Sequence, residues 1–439
     1  MTKHHPINQV NNITLDQLCV GLYVHLDAGW MDHPFAFSNF KIEDEAQIEK
    51  IKAIGLKSLR YDPTRSDRKP LPLTTKAAAK QMSKPSVTVE KHTPNFKEQR
   101  LVQLHKAIDE NEKKFIETSN LARLSTRSFL TNATQSVTQA NMIVNDLLEV
   151  ALTEGDVAIH AINGNRSGDE NYLHSMNVLV LCLMMSKTLD LSKEDAHTLG
   201  LAAHYHDIGK LKVSDKILLK KEPLTKSEQF FFQEHVELGA QLVLEAGLTH
   251  DVSRIIRQHH ELIDGTGYPK QLVEDEIDPL ARLLALVNAY DTLCNPFNFS
   301  EAKTPYEALG YLFTHQRTKY DQSLLKRMIK TLGIYPPGSV VQLSSGVYAN
   351  VISGNTNHPL RPFVMLHETN KQDHAPVIID LREEPNLHIS ICLRPNQLPP
   401  EVAEYLNPQK RINYFLDTAL VNAHLQDKQL AKEVQSPVS

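Results

Sequence analysis

The stretch from residue 206 to residue 269 opens on HDIGK (206–210) and closes on HHELIDGTGYP (259–269), with the pair Glu234–His235 between them. Neighbouring side chains leave a helix in different directions. His206 and Asp207 can therefore reach one centre only where the backbone turns, and Gly209 supplies such a helix end. Upstream, in ENYLH (170–174), Glu170 and His174 stand four apart, so a helix projects both from one face, as helix bundles do when they build metal sites. Downstream lies VNAYD (287–291). A carboxylate able to bridge two cations beside several imidazoles is a recipe for a binuclear site. The chain has 21 histidines, many for its length, and these clusters are where they carry chemistry. His197, His204, His250 and His315 stand singly and read as packed or solvent-facing side chains.

Around this stretch, residues 97–335 follow a helical pattern. In VNDLLEVAL (144–152), Val144, Leu147, Leu148 and Ala151 form one buried stripe. Residues 1–65 read as a small α+β module: ITLDQLCVGLYVHL (13–26) is strand-like, Ile48, Ile51 and Ile54 repeat at helical spacing, and SLRYD returns as a strand. Residues 66–96, rich in Lys, Pro, Thr and Ser, read as a linker. Beyond LGIYPPGS the short runs VVQL, YANVI, PFVML, PVIIDL and HISICL predict a small β module over 336–400, and 401–439 read as a helical or disordered tail. The expected fold is multidomain and mainly α, with a small α+β module before the helical domain (97–335, motif core 150–335) and a small β module after it.

At 439 residues the chain is too long for one ordinary core. Its 41% hydrophobic and 23% charged residues are the make-up of a globular protein. A net charge of −5 offers no basic surface for DNA or long RNA, though a small anion remains open. Cys19, Cys182, Cys294 and Cys392 form no CxxC and read as free thiols in a reducing compartment. The longest apolar run, Val178–Met185, is far short of the ~20 residues of a membrane helix. MTKHHPINQV shows no signal-peptide pattern, so a cytoplasmic location without membrane attachment is expected.

HDIGK followed by HHELIDGTGYP is similar to the signature of HD-GYP domains, a branch of the HD metal-dependent phosphohydrolases. The resemblance covers residues 150–335 and includes the ExxxH upstream of HD and the lone His between HD and HH. It implies a helical HD-type catalytic domain that opens a cyclic dinucleotide, cyclic di-GMP and/or cyclic GMP-AMP, to a linear dinucleotide in bacterial second-messenger signalling. Carried over by residue, it implies metal ligation by Glu170, His174, His206, Asp207, His235, His259 and His260, with Asp207 bridging two divalent ions and Lys210 meeting the substrate phosphate. It also implies that Asp264, Gly267 and Tyr268 lie beside the substrate. The His-rich set suits iron or manganese, and also nickel, cobalt or zinc, better than magnesium or calcium. Gly267-Tyr268-Pro269 reads either as a tight turn beside the histidines or as a docking point for a diguanylate cyclase, and a homodimer is left open.

Two positions depart from the family's pattern. Its VxDxYDAL stretch offers an aspartate ligand where this chain has Asn288, an uncharged and weaker donor. Its basic RPYR-like stretch appears here as NPFN (295–298), without a cationic clamp. Beside the phosphodiesterase, therefore, stands a second reading: a catalytically weakened cyclic-dinucleotide receptor or cyclase-binding adaptor. A third, a mononucleotide-directed HD hydrolase, is disfavoured because that broader group lacks HHExxDGxGYP.

Overall fold

In the computed structural model, Ile48 and Ile51 lie on the buried face of a helix, as their spacing predicts, while Ile54 falls outside the described residues. The structure describes residues 11–26, 39–53, 59–63, 65–71, 94–152, 158–162, 170–355, 358–367, 377–406 and 412–417. It separates into two units, residues 1–93 and 94–439.

The first unit contains β1 (Asn11–Ile13), β2 (Tyr23–His25), β3 (Asn39–Lys41), α1 (Glu45–Ala53) and β4 (Leu59–Tyr61). Its antiparallel sheet runs in the order β1-β4-β2-β3. Helix α1 closes it through a core that includes Leu22, Val24, Ile42, Ile51 and Leu59. The strand-like run 13–26 is split. A 3-10 turn at Leu15–Gln17 interrupts it, and Gly21, at φ +97°, adopts a backbone that side-chain-bearing residues avoid.

The second unit begins with α2 (Pro94–Ser128), α3 (Ala133–Leu152), β5 (Ala158–Ile162), α4 (Glu170–Thr188) and α5 (Lys193–Tyr205). It continues through α6 (Asp215–Leu218), α7 (Lys226–Gln233), α8 (His235–Glu245), α9 (His250–Gln258), α10 (Pro279–Cys294), α11 (Pro305–His315) and α12 (Gln322–Leu332). The strands β6 (Val340–Leu343), β7 (Tyr348–Ser353), β8 (Phe363–Leu366), β9 (Ile378–Asp380) and β10 (Ile389–Leu393) follow, then α13 (Pro400–Leu406) and β11 (Asn413–Asp417). Met176–Met185 of α4 is buried all round, the signature of a central helix, and α4 packs against α2, α3, α5, α10 and α12. The stripe Val144, Leu147, Leu148 and Ala151 is buried on α3 as expected. No helix among the described residues is long and apolar enough to cross a membrane.

The chain is thus multidomain and mainly α, with a small sheet near its N-terminus and a β-rich region after the helices. All five runs expected in the β module form strands, β6 to β10. Two further strands lie elsewhere: β5 between α3 and α4, and β11 within the expected tail. They pair antiparallel along their whole length, Ala158 with Asp417 through Ile162 with Asn413. β5 also meets β7 at His160–Ser353, so the sheet runs β10-β6-β7-β5-β11, with β8 and β9 branching from β7.

Candidate metal centre

Helix ends place the histidines. The side chain of Ser192 accepts the Asp195 amide to start α5, and that of Thr249 accepts the Val252 amide to start α9, each cap stabilising its helix by about 1 kcal/mol. The two helices end with His206 and His259 as their C-caps. Asp207 then takes φ −101°, ψ 6°, the bridge region between helix and strand, as the chain enters a 3-10 turn at Ile208–Lys212. That turn lets two consecutive side chains face one centre. His235 opens α8, directly after α7. Gly209 packs against this junction: a Cβ there would run into the His235 carbonyl and come within 2.6 Å of the Gly239 nitrogen.

Asp207 is the hub. Its Oδ2 lies 3.4 Å from His206 Nε2 and 3.8 Å from His174 Nε2, while its Oδ1 lies 3.5 Å from His235 Nε2 and 4.0 Å from His259 Nε2. The donor atoms of Asp207, His235, His259 and His260 all fall within 4.8 Å of one another, and so do those of His174, His206 and Asp207. One carboxylate therefore serves two donor groups, one from each oxygen.

The opposite ring nitrogens fix the imidazoles. Nδ1 of His206, His235 and His259 sits 2.8, 2.7 and 2.6 Å from the carbonyls of Ala203, Phe232 and Ile256. A carbonyl only accepts, so each Nδ1 carries the proton and each Nε2 turns a lone pair to the centre. His174 Nδ1 donates to Asp291 Oδ2 at 2.7 Å, which leaves its Nε2 a lone pair 3.2 Å from that of His206 Nε2. Burial holds His235 down to about 4 and keeps His259 and His260 well below the usual imidazole range, so these rings are neutral at pH 7. Burial alone would raise the Asp207 carboxyl, but the Lys210 ammonium beside it holds it well below the usual carboxylate range.

Asp207 Oδ1, His235 Nε2 and His259 Nε2 are buried with no hydrogen-bond partner. Each such atom costs about 1–3 kcal/mol. A cation among these converging lone pairs satisfies all of them at once, so the residues fit a metal. Imidazole nitrogens with one carboxylate form the donor set of a transition metal rather than of magnesium or calcium.

The other expected site residues fall as follows. Lys210 Nζ is 2.6 Å from Asp207 Oδ2 and is partly exposed. Glu170 begins α4, one turn before His174, and its side chain lies outside the described residues. Asn288 is buried on α10, where its Oδ1 accepts the Thr292 hydroxyl at 3.4 Å. Asp264 is exposed and its Oδ1 accepts from the amide and hydroxyl of Thr266. Gly267 is where the loop doubles back on His260 and Glu261, with no room for a Cβ. Tyr268 stacks on His260, ring centroids 4.6 Å apart, and Glu261 pins the loop by accepting the amides of Lys270 and Leu272.

Asp291 was not among the expected site residues. It is fully buried and binds the outer nitrogen of His174. Its signal was visible in VNAYD, one helical turn beyond Asn288. Asn177, which carried no signal in the sequence, and Asn295, singled out there only as the start of the NPFN stretch, both donate to its Oδ1 at 2.8 Å.

The HD domain family matches residues 156–324, the segment that holds all of these donors. Residues 156–324 are an HD domain of the HD-GYP type. A second match, to a domain of unknown function (DUF3391), covers residues 11–161 ahead of it. The chain is similar to a cyclic di-GMP phosphodiesterase of Pseudomonas aeruginosa, 26% identical over 81% of this chain and 84% of that one. The cyclic di-GMP phosphodiesterase response regulator RpfG of Xanthomonas campestris is 30% identical over 34% of this chain and 39% of its own length. A 3'3'-cGAMP-specific phosphodiesterase of Vibrio cholerae is 31% identical over 37% and 35%. The last two matches lie on about a third of this chain, whereas the first extends well beyond an HD domain of this length.

Proposed function

We propose that the HD domain hydrolyses a phosphodiester of a cyclic dinucleotide, cyclic di-GMP and/or cyclic GMP-AMP, to a linear dinucleotide, with two transition-metal ions at Asp207. The observation that carries this reading is the division of the Asp207 carboxylate between two groups of unprotonated imidazole nitrogens. The relatives named for cyclic di-GMP and 3'3'-cGAMP support the substrate class. A cation pair there supplies a lowered pKa for water and neutralises charge on the phosphoryl oxygens.

The chain's own residues do the rest. Asp207 and the imidazoles hold the charge in a fixed place, so little reorganisation is needed as the phosphate reacts. Lys210 pairs with Asp207 Oδ2, and were Asp207 to hold a cation instead, the ammonium would be released to meet a non-bridging phosphate oxygen. Water oxygen bonds to phosphorus, the bond from phosphorus to one bridging sugar oxygen breaks, and that oxygen leaves as a hydroxyl carrying the proton that water gives up. Tyr268 stays against His260 and acts by holding the ring.

The test is product analysis. Full-length protein, loaded with iron or manganese without oxygen, is incubated with cyclic di-GMP and with 3'3'-cGAMP. A linear dinucleotide appearing first, and its absence with Asp207→Ala, is the expected result. Tight binding of either ligand without turnover would instead establish the receptor reading, which Asn288 and the uncharged NPFN stretch favour.

A further inference from the structure

Asp291 is held by a closed hydrogen-bond network that reaches the C-terminal strand. Asn177 on α4 donates one amide hydrogen to Asp291 Oδ1 and the other to the Ile412 carbonyl, both at 2.8 Å. Asn295, just past α10, does the same at 2.8 and 3.0 Å. Their own carbonyls accept in turn: Asn177 Oδ1 takes the Tyr414 amide and Asn295 Oδ1 the Ile412 amide, both at 2.9 Å. Tyr414 is fully buried, and its hydroxyl lies 3.0 Å from that of Tyr290 on α10.

Each carboxamide spends both amide hydrogens, one on Asp291 Oδ1 and one on the Ile412 carbonyl, and Asp291 Oδ2 is left to His174. Each member of such a buried network restrains the next, because a broken link leaves a polar group unpaired away from water. A residue distant in sequence from every metal ligand thereby fixes one imidazole.

We propose that Asn177 and Asn295 are positioning residues through which β11 holds Asp291, and so the His174 ring, in register with the metal centre. The C-terminal strand is then part of one half of the centre, the half formed by His174 and His206. In the other half, carbonyls fix His235 and His259 and Tyr268 stacks on His260, and none of these contacts involves β11. Since β11 pairs with β5 and β5 meets β7, the path leads from the β region to a single ligand. This inference rests on the two-metal reading of the site and not on the substrate.

Metal-stripped full-length wild type, Asn177→Ala, Asn295→Ala and Phe415→Ala are titrated with Mn(II) by calorimetry. Phe415 lies on the same strand, buried edge-on against Phe115, and its side chain supplies none of the hydrogen bonds above, so its variant removes apolar packing while leaving every link from Ile412 and Tyr414 to Asp291 in place. Wild type should bind two equivalents. Each Asn variant should lose affinity at one of them by roughly 10–100-fold, as loss of a ligand's outer partner does, and keep the other. Phe415→Ala should keep both while unfolding at lower temperature. Wild-type affinities in both Asn variants, or equal loss in Phe415→Ala, overturn the inference and leave the two-metal reading standing. Fewer than two equivalents in wild type overturns that reading and the inference with it. Should Asn177→Ala not fold, Asn295→Ala decides alone.

Discussion

Gly209, at the centre, and Gly310, on α11, differ in what stands beside them. Gly209 faces the His235 carbonyl and the Gly239 nitrogen, both backbone atoms that cannot rotate away, whereas Gly310 on α11 has nothing within 4 Å. The first is a spacer between the turn that carries His206 and Asp207 and the helix that begins with His235. Adding one methyl group must push α8 off the turn and open the 3.5 Å approach of His235 to Asp207. Overpacking of this kind costs about 1–3 kcal/mol, and here the displacement falls on a proposed ligand. Gly209→Ala should therefore lower both thermal stability and metal retention, with turnover falling at least tenfold. Gly310→Ala should leave metal and turnover alone and raise stability by about 0.5–1 kcal/mol, as alanine for glycine does inside a helix. Parallel elemental analysis and melting curves separate the two, and equal metal content in Gly209→Ala and wild type would contradict the spacer role.

At the level of elements, the sequence was most legible where local signals and burial agree. The stripe of α3, the apolar α4 and the five short β runs are periodic segments bounded by turn residues, and each forms the element its pattern predicts. HD at a helix end was legible because adjacent side chains can share a target only at a turn. β5 and β11 were not: AIHAI and NYFLD pair only with segments distant in sequence, and no local turn announces such a pairing. Asn177 and Asn295 were hidden for the same reason, since an asparagine's role depends on which backbone reaches it. Helix α10 shows both sides. Asn288 and Asp291 stand one turn apart, and the structure gives His174 to Asp291, a pairing that spacing alone could not choose. Asn288, buried with only a 3.4 Å contact from the Thr292 hydroxyl, retains capacity to accept. Asn288→Asp is expected to raise metal content in protein purified without added metal, because a carboxylate buried there gains most by pairing with a cation. Its effect on rate is a separate matter, as an added anionic ligand also reduces the charge that acidifies water. Equal metal content in wild type and variant would place Asn288 outside the ligand set.

For the molecule as a whole, the described donors are drawn from segments spread between residues 174 and 260, all within the second unit. His174 comes from α4, His206 and Asp207 from the end of α5, His235 from the start of α8, and His259 and His260 from the end of α9. A cation bound to these atoms links four helices that the unfolded chain holds far apart, and the unfolded chain offers no comparable cluster. Binding that favours the folded state stabilises it by RT ln(1 + [L]/Kd), about 2.7 kcal/mol when the metal stands a hundredfold above its dissociation constant. The apo centre meanwhile keeps unpartnered buried atoms facing one another, which makes the metal-free unit the less stable form. The thermal midpoint of the helical signal in far-ultraviolet circular dichroism should therefore rise with each increment of added Mn(II) or Fe(II) and return on chelation. Asp207→Ala removes the one side chain common to both donor groups and should flatten that dependence. The comparison is of slopes and not of metal-free midpoints, since deleting a buried carboxylate also removes its desolvation and can leave the apo protein no less stable. If wild type and Asp207→Ala respond alike to metal, the stabilising ions bind elsewhere, and Asp207 is not the bridge between the two halves of the centre.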